Sequence, residues 1–333
     1  MESIDRRNEM VLRILTRIIA VALSLVALAL PALANEVTIR AVSGWPAGST
    51  ISLRYETFIK ALNERGKGLV RIEYMGGAPA IGSPLQIVKK LQGGVYGMAY
   101  VTSGWYTNVL PEAEFLKLSE VDIAELRKNG GFEYIQKLHA DKGLHYLGRT
   151  YDTSPYYLYL KKPINSADLH GLNIRVSPAY QEFLSALGAS AHSAPVSETY
   201  TLMERGVVDG YAWVAEGIFD YSWEQVTKYR VEPGFYTGNG HVLMNLGVWN
   251  SLSEGQRRLL NQMMLELERG NQLMVEHDRE EIARQTKAGI KTIVLPPDQA
   301  KIWRETARRA GWEEARKINP KVAEELRKYI ARP

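Results

Sequence analysis

There is no cysteine among the 333 residues of this chain. Disulfide cross-links, thiolate metal sites, thiol nucleophiles and lipid attachment through cysteine are therefore excluded, and stability has to come from an ordinary packed core. Histidine is scarce as well. The six, His139, His145, His170, His192, His241 and His277, include no pair at H-x-x-x-H spacing, which argues against a catalytic zinc site. No G-x-S-x-G elbow, no G-x-x-x-x-G-K-[ST] loop and no G-x-G-x-x-G opening a helix is present. Nor is there an excess of one charge: 41 Lys and Arg stand against 37 Asp and Glu. That balance is too even for a nucleic-acid binder, which needs a concentrated basic stripe to displace counterions.

The one long apolar run lies at the N-terminus. Arg6, Arg7, Arg13 and Arg17 lead into a stretch from Ile18 to Leu30, followed by Ala32-Leu33-Ala34. This is the three-part order of a secretory signal cut after Ala34. A membrane anchor is the other reading, but a spanning helix needs roughly 20 apolar residues, and this run is interrupted by Ser24 and closed by Pro31. The Arg6-Arg7 pair lacks the surroundings of a twin-arginine signal, so the general secretory route is expected. Taking 34 residues from 333 leaves 299, enough for one large or two ordinary domains. With four Arg and three acids gone, 37 basic residues face 34 acidic ones. A soluble, unanchored monomer without cofactor or metal is expected, since no second membrane segment and no obvious exposed apolar stripe follow.

Strand and helix patterns alternate along the rest of the chain. Val37 to Val42 reads as a strand, Ser43 to Ser49 as a turn-rich loop, and Ser52 to Arg65 as a helix. Leu69 to Tyr74 and Tyr96 to Val101 read as strands around a helix over Pro84 to Gln92. The theme repeats with strands at Leu144 to Gly148, Tyr156 to Lys161 and Leu172 to Val176, and helices at Tyr180 to Leu187 and Ser197 to Arg205. Such alternation implies α/β architecture with mainly parallel, helix-covered sheets. The longest helical pattern spans about 253–288, opened by a Ser253/Gln256 capping box. Unbroken, it would be roughly 50 Å long, enough to tie two lobes together; the other reading is two helices broken near Gly270.

In Gly171-Leu-Asn-Ile-Arg-Val-Ser-Pro178, Leu172, Ile174 and Val176 share one strand face, and Asn173, Arg175 and Ser177 share the other. Arg175 thus stands near the end of a buried strand, where ligands of open α/β sheets bind and where a guanidinium grips a carboxylate with two parallel bonds. On these residues alone, an inter-strand or helix-capping salt bridge is the slightly better reading. Glu204 and Asp209 form an acid pair only in sequence, because Glu204 ends a helix and Asp209 lies past the Gly206 stop, so a structural role is expected for both.

The order Asp168-Leu-His-Gly-Leu-Asn-Ile-Arg175-Val-Ser-Pro, Leu187-Gly-Ala, Pro195-Val-Ser-Glu198-Thr-Tyr200 and Arg205-Gly-Val-Val-Asp209-Gly210 resembles the signature of TRAP (tripartite ATP-independent periplasmic) transporter substrate-binding proteins. Gly82-Ser-Pro, Leu252-Ser-Glu-Gly-Gln-Arg257 and Gly289-Ile-Lys-Thr-Ile293 extend the likeness across the mature chain. The resemblance implies a periplasmic receptor, not an enzyme, that delivers an organic acid to a membrane permease and holds its carboxylate through Arg175. It implies two lobes joined by crossing strands and a long helix. Lobe I then takes residues 35–153 and about 243–275, and lobe II takes 154–242 and about 276–333. Asp209-Gly210-Tyr211-Ala212-Trp213 stands where members binding polar acids often carry Gln-Glu-Asn. Pro155-Tyr156-Tyr157 lacks the second arginine of sialic-acid binders. Both departures speak against a dicarboxylate or heavily hydroxylated ligand.

Trp45 and Trp105 follow strands, Tyr156 opens one, and Trp213 lies just after Asp209-Gly210. Each alone fits core packing as well as ligand contact; together they are expected to wall a cleft for an aromatic or hydrophobic monocarboxylate. Thr102, Ser103, Asn239 and His241 are further candidate contacts, while Glu198, Tyr200 and Asp209 are expected to support the arginine. A sugar acid or other hydroxy or keto acid held in the same way, a periplasmic sensor, and a hydrolase on the same scaffold are the alternatives.

Overall fold

The computed structural model describes residues 36–151 and 154–332; the expected signal and its cut after Ala34 lie outside the described residues. The chain begins with β1 (Val37–Ser43), α1 (Thr50–Arg65), β2 (Val70–Gly77), α2 (Ile87–Gln92), β3 (Met98–Val101), α3 (Ile123–Asn129), α4 (Gly131–Ala140) and β4 (Leu144–Thr150). Helix α1 forms where the pattern placed it. Ser49 caps it by accepting the Ser52 N–H, and Ile51, Tyr55, Phe58, Ile59 and Leu62 put one stripe into the core.

The chain then leaves this first lobe for β5 (Pro155–Leu160), β6 (Asn173–Val176), α5 (Gln181–Ala186), β7 (Ser190–Ser193), α6 (Thr199–Glu204), β8 (Gly210–Trp213) and β9 (Tyr229–Thr237). It returns through Gly238 and Asn239 into β10 (Gly240–Asn245), α7 (Leu246–Ser251) and α8 (Glu254–Arg269). It crosses a third time into α9 (Met274–Lys287), β11 (Lys291–Val294), α10 (Pro297–Ile318) and α11 (Pro320–Ile330). Two sheets result, ordered β2-β1-β3-β10-β4 and β11-β9-β5-β8-β6-β7. The architecture is two-lobed α/β, as expected.

The sheets are mainly parallel, as expected, with one reversed strand in each: β10 runs antiparallel to β3 and β4, and β5 antiparallel to β8 and β9. The strands that cross between lobes enter without a helical crossover, and an antiparallel neighbour needs none. Two other details differ from the sequence reading. The long helical pattern keeps its Ser253/Gln256 capping box but tightens at Gly270–Leu273 into a single 3₁₀ turn. That turn sits between α8, which lies on β4, and α9, whose Gln285 reaches Tyr159 and Arg230 of the second sheet. Finally, α11 returns to the first lobe, although residues 276–333 were assigned to the second. It contacts α4, Glu120 N–H donates to the Ile330 carbonyl at 2.8 Å, and Asn129 Nδ2 donates to the Tyr329 carbonyl at 2.9 Å.

Gly210 opens β8 between β5 and β6. A Cβ there would stand 2.4 Å from the Tyr159 carbonyl oxygen, a backbone atom that cannot swing away. Gly210→Ala is expected to destabilise the protein by about 1–3 kcal/mol, read as a lower urea midpoint at unchanged m-value.

Candidate ligand-binding cleft

β1 and β3 lie parallel in the first sheet, β6 and β8 in the second. The loops leaving their carboxyl ends meet between the lobes, the position where open α/β sheets place ligands. A cavity of about 250 Å³ opens there, bordered by Gly44, Pro46, Leu85 and Trp105 from the first lobe and by Arg175, Pro178, Ala194 and Pro195 from the second. This is below the roughly 300–1,000 Å³ of pockets for drug-sized ligands and suits a small molecule. A smaller chamber of about 40 Å³ lies further in, bordered by Trp45, Thr102, Tyr156, Trp213 and Asn239. Trp105, Ser177 and Val196 border both. Gly44 makes the arrangement possible, because a Cβ there would fall 2.4 Å from the Trp105 ring.

Arg175 is the charged group of the outer cavity. It ends up 2% exposed, with its Nε and Nη2 donating to the Ala194 carbonyl at 3.0 and 2.7 Å and its Nη1 donating to the Tyr180 hydroxyl at 3.1 Å. Tyr180 is fixed in turn by donating to the Ala212 carbonyl at 2.7 Å. These contacts orient the guanidinium but bring no negative charge: among the described residues no carboxylate pairs with Arg175. Of five N–H donors, two have no acceptor among the described residues and stand beside a cavity. A buried cation in this state is costly unless an anion joins it.

The other expected residues divide. Trp45 and Trp105 pack ring to ring at 4.7 Å, Trp213 stands edge-on to Trp223, and Tyr156 lies against Tyr180 at 5.3 Å. Burial first, with Glu114 second, pushes the Tyr156 phenol well above its ordinary range, so it stays protonated. Thr102 donates its hydroxyl to Asn239 Oδ1 at 3.1 Å. Ser103 borders neither chamber; its N–H donates to the same Oδ1 at 3.0 Å. His241 also lies away from the cavities. It is in mid-sheet opposite Val101 and Arg149, with Nδ1 2.6 Å from the Tyr106 hydroxyl, and burial holds it well below the usual imidazole range, hence neutral.

The three supporting residues do not touch the arginine. Glu198 is exposed, Tyr200 reaches Gln225, and Asp209 accepts the Asn173 N–H at the start of β6. A backbone carbonyl, Ala194, and Tyr180 do that work; the aromatic residue five positions after Arg175 was the only hint in the sequence. Among the described residues no group of three or more His, Asp or Glu is arranged to hold a metal ion.

Lobe contacts close the cleft at a point the sequence left unmarked. Asp220 of the second lobe accepts the Thr50 N–H at 2.8 Å and the Thr50 hydroxyl at 3.0 Å, placing a carboxylate on the positive end of α1. Beside it Arg54 donates to Glu216 and to the Tyr151 hydroxyl, both at 3.1 Å, and Tyr151 donates to Glu216 at 2.5 Å. Asp278 on α9 lies behind this group. Burial, with Glu216 adding to it, raises its carboxyl from 3.8 to about 7 against the opposing effect of Ser154.

Two α/β lobes with an anion-seeking cleft between strand ends define a two-lobed binding protein. The profile of the bacterial extracellular solute-binding protein family 7 (DctP) matches residues 41–317, and the chain belongs to that family. A monocarboxylate 2-oxoacid-binding periplasmic protein of Nostoc sp. PCC 7120 is 24% identical over 239 residues, 68% of this chain and 65% of that protein, so the match spans slightly under two thirds of this relative. The crystal structure of a TRAP periplasmic solute-binding protein from Desulfovibrio salexigens with bound orotic acid superposes with TM-score 0.79 at 22% identity, covering 87% of this chain and 96% of that one. An apo open structure from Marinobacter aquaeolei gives 0.78 at 16% identity, covering 89% and 100%.

Two tests follow from the seam between the lobes. Asp220→Ala removes a helix-end contact worth about 1 kcal/mol and is expected to weaken ligand binding about fivefold and to enlarge the ligand-bound radius of gyration in small-angle scattering, without touching the ligand. For Asp278, the folded chain keeps a proton that the unfolded chain releases between pH 3.8 and about 7. Its contribution therefore falls as pH rises through that window and is flat above it. The melting temperature should drop more between pH 5 and pH 8 in the wild type than in Asp278→Asn; equal drops would show the carboxyl to be ordinary.

Proposed function

We propose that this chain is a periplasmic receptor that captures a small monocarboxylate with an aromatic or otherwise apolar body and hands it to a TRAP-type permease. One observation carries the reading: Arg175 is a buried, oriented guanidinium with a cavity beside it, and among the described residues two of its N–H donors have no acceptor and no acid pairs with it. A carboxylate supplies the missing charge through a bidentate pair. The walls are chiefly proline, tryptophan, leucine and valine, and no second cation borders the cavity, which favours one carboxylate over two. The relatives agree in kind, one named for monocarboxylate 2-oxoacids and one holding orotic acid.

Release into the periplasm after cleavage at Ala34 and action as a monomer complete the proposal. Among the described residues no helix is long and apolar enough to cross a membrane. The sugar-acid reading rests on Ser177, Ser193 and Ser197, whose hydroxyls also border the outer cavity, and on a D-glucuronate-bound structure from Citrobacter koseri at 20% identity, covering 87% of this chain and 98% of that one with TM-score 0.73. A thermal-shift panel separates the two: aromatic and medium-chain monocarboxylates are expected to stabilise the protein more than glucuronate or succinate, and the reverse order would select the sugar-acid reading. Arg175→Ala should cost about 2–5 kcal/mol of binding with the far-UV circular dichroism intact. Arg175→Lys should recover little, lacking the planar fork; unchanged binding in either variant would remove Arg175 from the site.

A further inference from the structure

A buried charge cluster lies behind the cleft, on the seam between the lobes. Lys117 stands near the end of the 3₁₀ segment Pro111–Leu118 of the first lobe. Its Nζ is 2.6 Å from Glu314 Oε2 of α10 and 3.7 Å from Glu114 Oε1, one turn back. The Lys117 and Glu114 side chains are 2% and 3% exposed. Helix α10 packs on that 3₁₀ segment as well as on α5 and β9 of the second lobe, so the Lys117–Glu314 pair spans the seam. The second lobe also completes the burial of Glu114. A Cβ on Gly104 would stand 3.5 Å from Glu114 Oε2 and 3.8 Å from the Ala179 Cβ, which leaves only the bare Gly104 between that carboxyl and Ala179. The other titratable groups facing Glu114 are phenols, Tyr106 after β3, Tyr156 of β5 and Tyr236 of β9, all pushed up by burial and so uncharged. Neither Glu114 oxygen receives a hydrogen bond of ordinary length among the described residues. Burial pushes its carboxyl above the ordinary range against the pull of Lys117 and the Ser103 hydroxyl, and Glu314 adds to the push.

One ammonium thus stands between two carboxyls and is committed to the one on the other lobe. A buried carboxylate that keeps no cation of its own is costly, and the cheaper state carries a proton. We infer that Glu114 is a proton site coupled to lobe closure: it takes a proton from solvent when α10 and Ala179 come in over it, and returns that proton when they withdraw and leave Lys117 to pair with Glu114 alone. Closing the lobes then takes up one proton whatever the ligand, so acidity favours the closed receptor. This goes beyond the carboxylate reading and does not depend on it.

The chain has no cysteine, so spin labels on Lys60→Cys in α1 and Arg205→Cys past α6, both exposed positions, read the distance between the lobes in the ligand-free protein by pulsed electron resonance. The labelled protein carries Asp278→Asn, which removes the other seam carboxyl that burial raises. As pH falls from 8 to 5 the closed-to-open ratio is expected to rise, by up to about tenfold for each unit, the limit for one proton. Glu114→Gln keeps the shape of the protonated acid and should hold the ratio at its low-pH value throughout. Glu314→Gln leaves Lys117 with Glu114 in both states and should hold the ratio at its high-pH value. Infrared difference spectra at pH 6, Glu114 against Glu114→Gln, should show the carbonyl stretch of a protonated carboxyl that the variant lacks. A ratio that does not move with pH, a slope that survives Glu114→Gln, or a difference spectrum without a protonated carboxyl overturns the inference. None of these outcomes touches the Arg175 reading, which stands or falls with acid binding.

Discussion

A guanidinium buried without a counter-charge is the constraint around which the cleft is arranged. Arg175 lies at the end of β6, and its neighbours orient it through a carbonyl and a phenol, neither of which can neutralise it. Leaving water without a partner charge is among the more expensive things a side chain can do. The fold tolerates it because the group opens on a cavity that an anion can enter. The rest of the cleft is consistent with that arrangement: apolar walls keep the local dielectric low and so strengthen the eventual pair.

Capture and closure are coupled through different atoms. The ligand-side groups, Arg175 and the aromatic walls, lie at strand ends of both lobes. The closing contacts lie beside them, on the N-terminus of α1 and in the Arg54–Tyr151–Glu216 group. The Asp220–Thr50 bonds are exposed and the Arg54 contacts part-buried, each worth little singly, while the Tyr151–Glu216 bond is buried. Modest contacts suit a receptor that has to open again, because a closed state held firmly without ligand would gain little from binding it. The 3₁₀ turn at Gly270–Leu273 lies in the α8–α9 connection between the lobes.

Much of the fold was legible because it is local. The buried stripe of α1, the capping box of α8 and the alternation around Arg175 are periodicities of a few residues, and these elements formed where the patterns placed them. The cleft walls Trp45, Trp105 and Trp213 were legible for a related reason: each ends or follows a strand, and strand ends converge in this architecture, where Tyr156 at the start of β5 joins them. What failed was long-range. His241 carries the residue type of a ligand contact but stands in the middle of a sheet, where burial keeps it neutral. Glu198 and Tyr200 lie on the segment after β7, but it is the Ala194 carbonyl, directly after that strand, that meets the guanidinium.

The amino-acid sequence by itself determined the order of strands and helices, the absence of thiol chemistry, and the presence of one arginine at a strand end suited to a carboxylate. All of these depend on residues near one another or on composition. Only the tertiary structure decided which atoms hold that arginine, that Asp220 closes on Thr50 from 170 positions away, and that α11 returns to the first lobe. The reason is physical. Hydrogen-bond direction and charge pairing are settled by groups that meet in space after the lobes assemble, and no local pattern records which ones will meet.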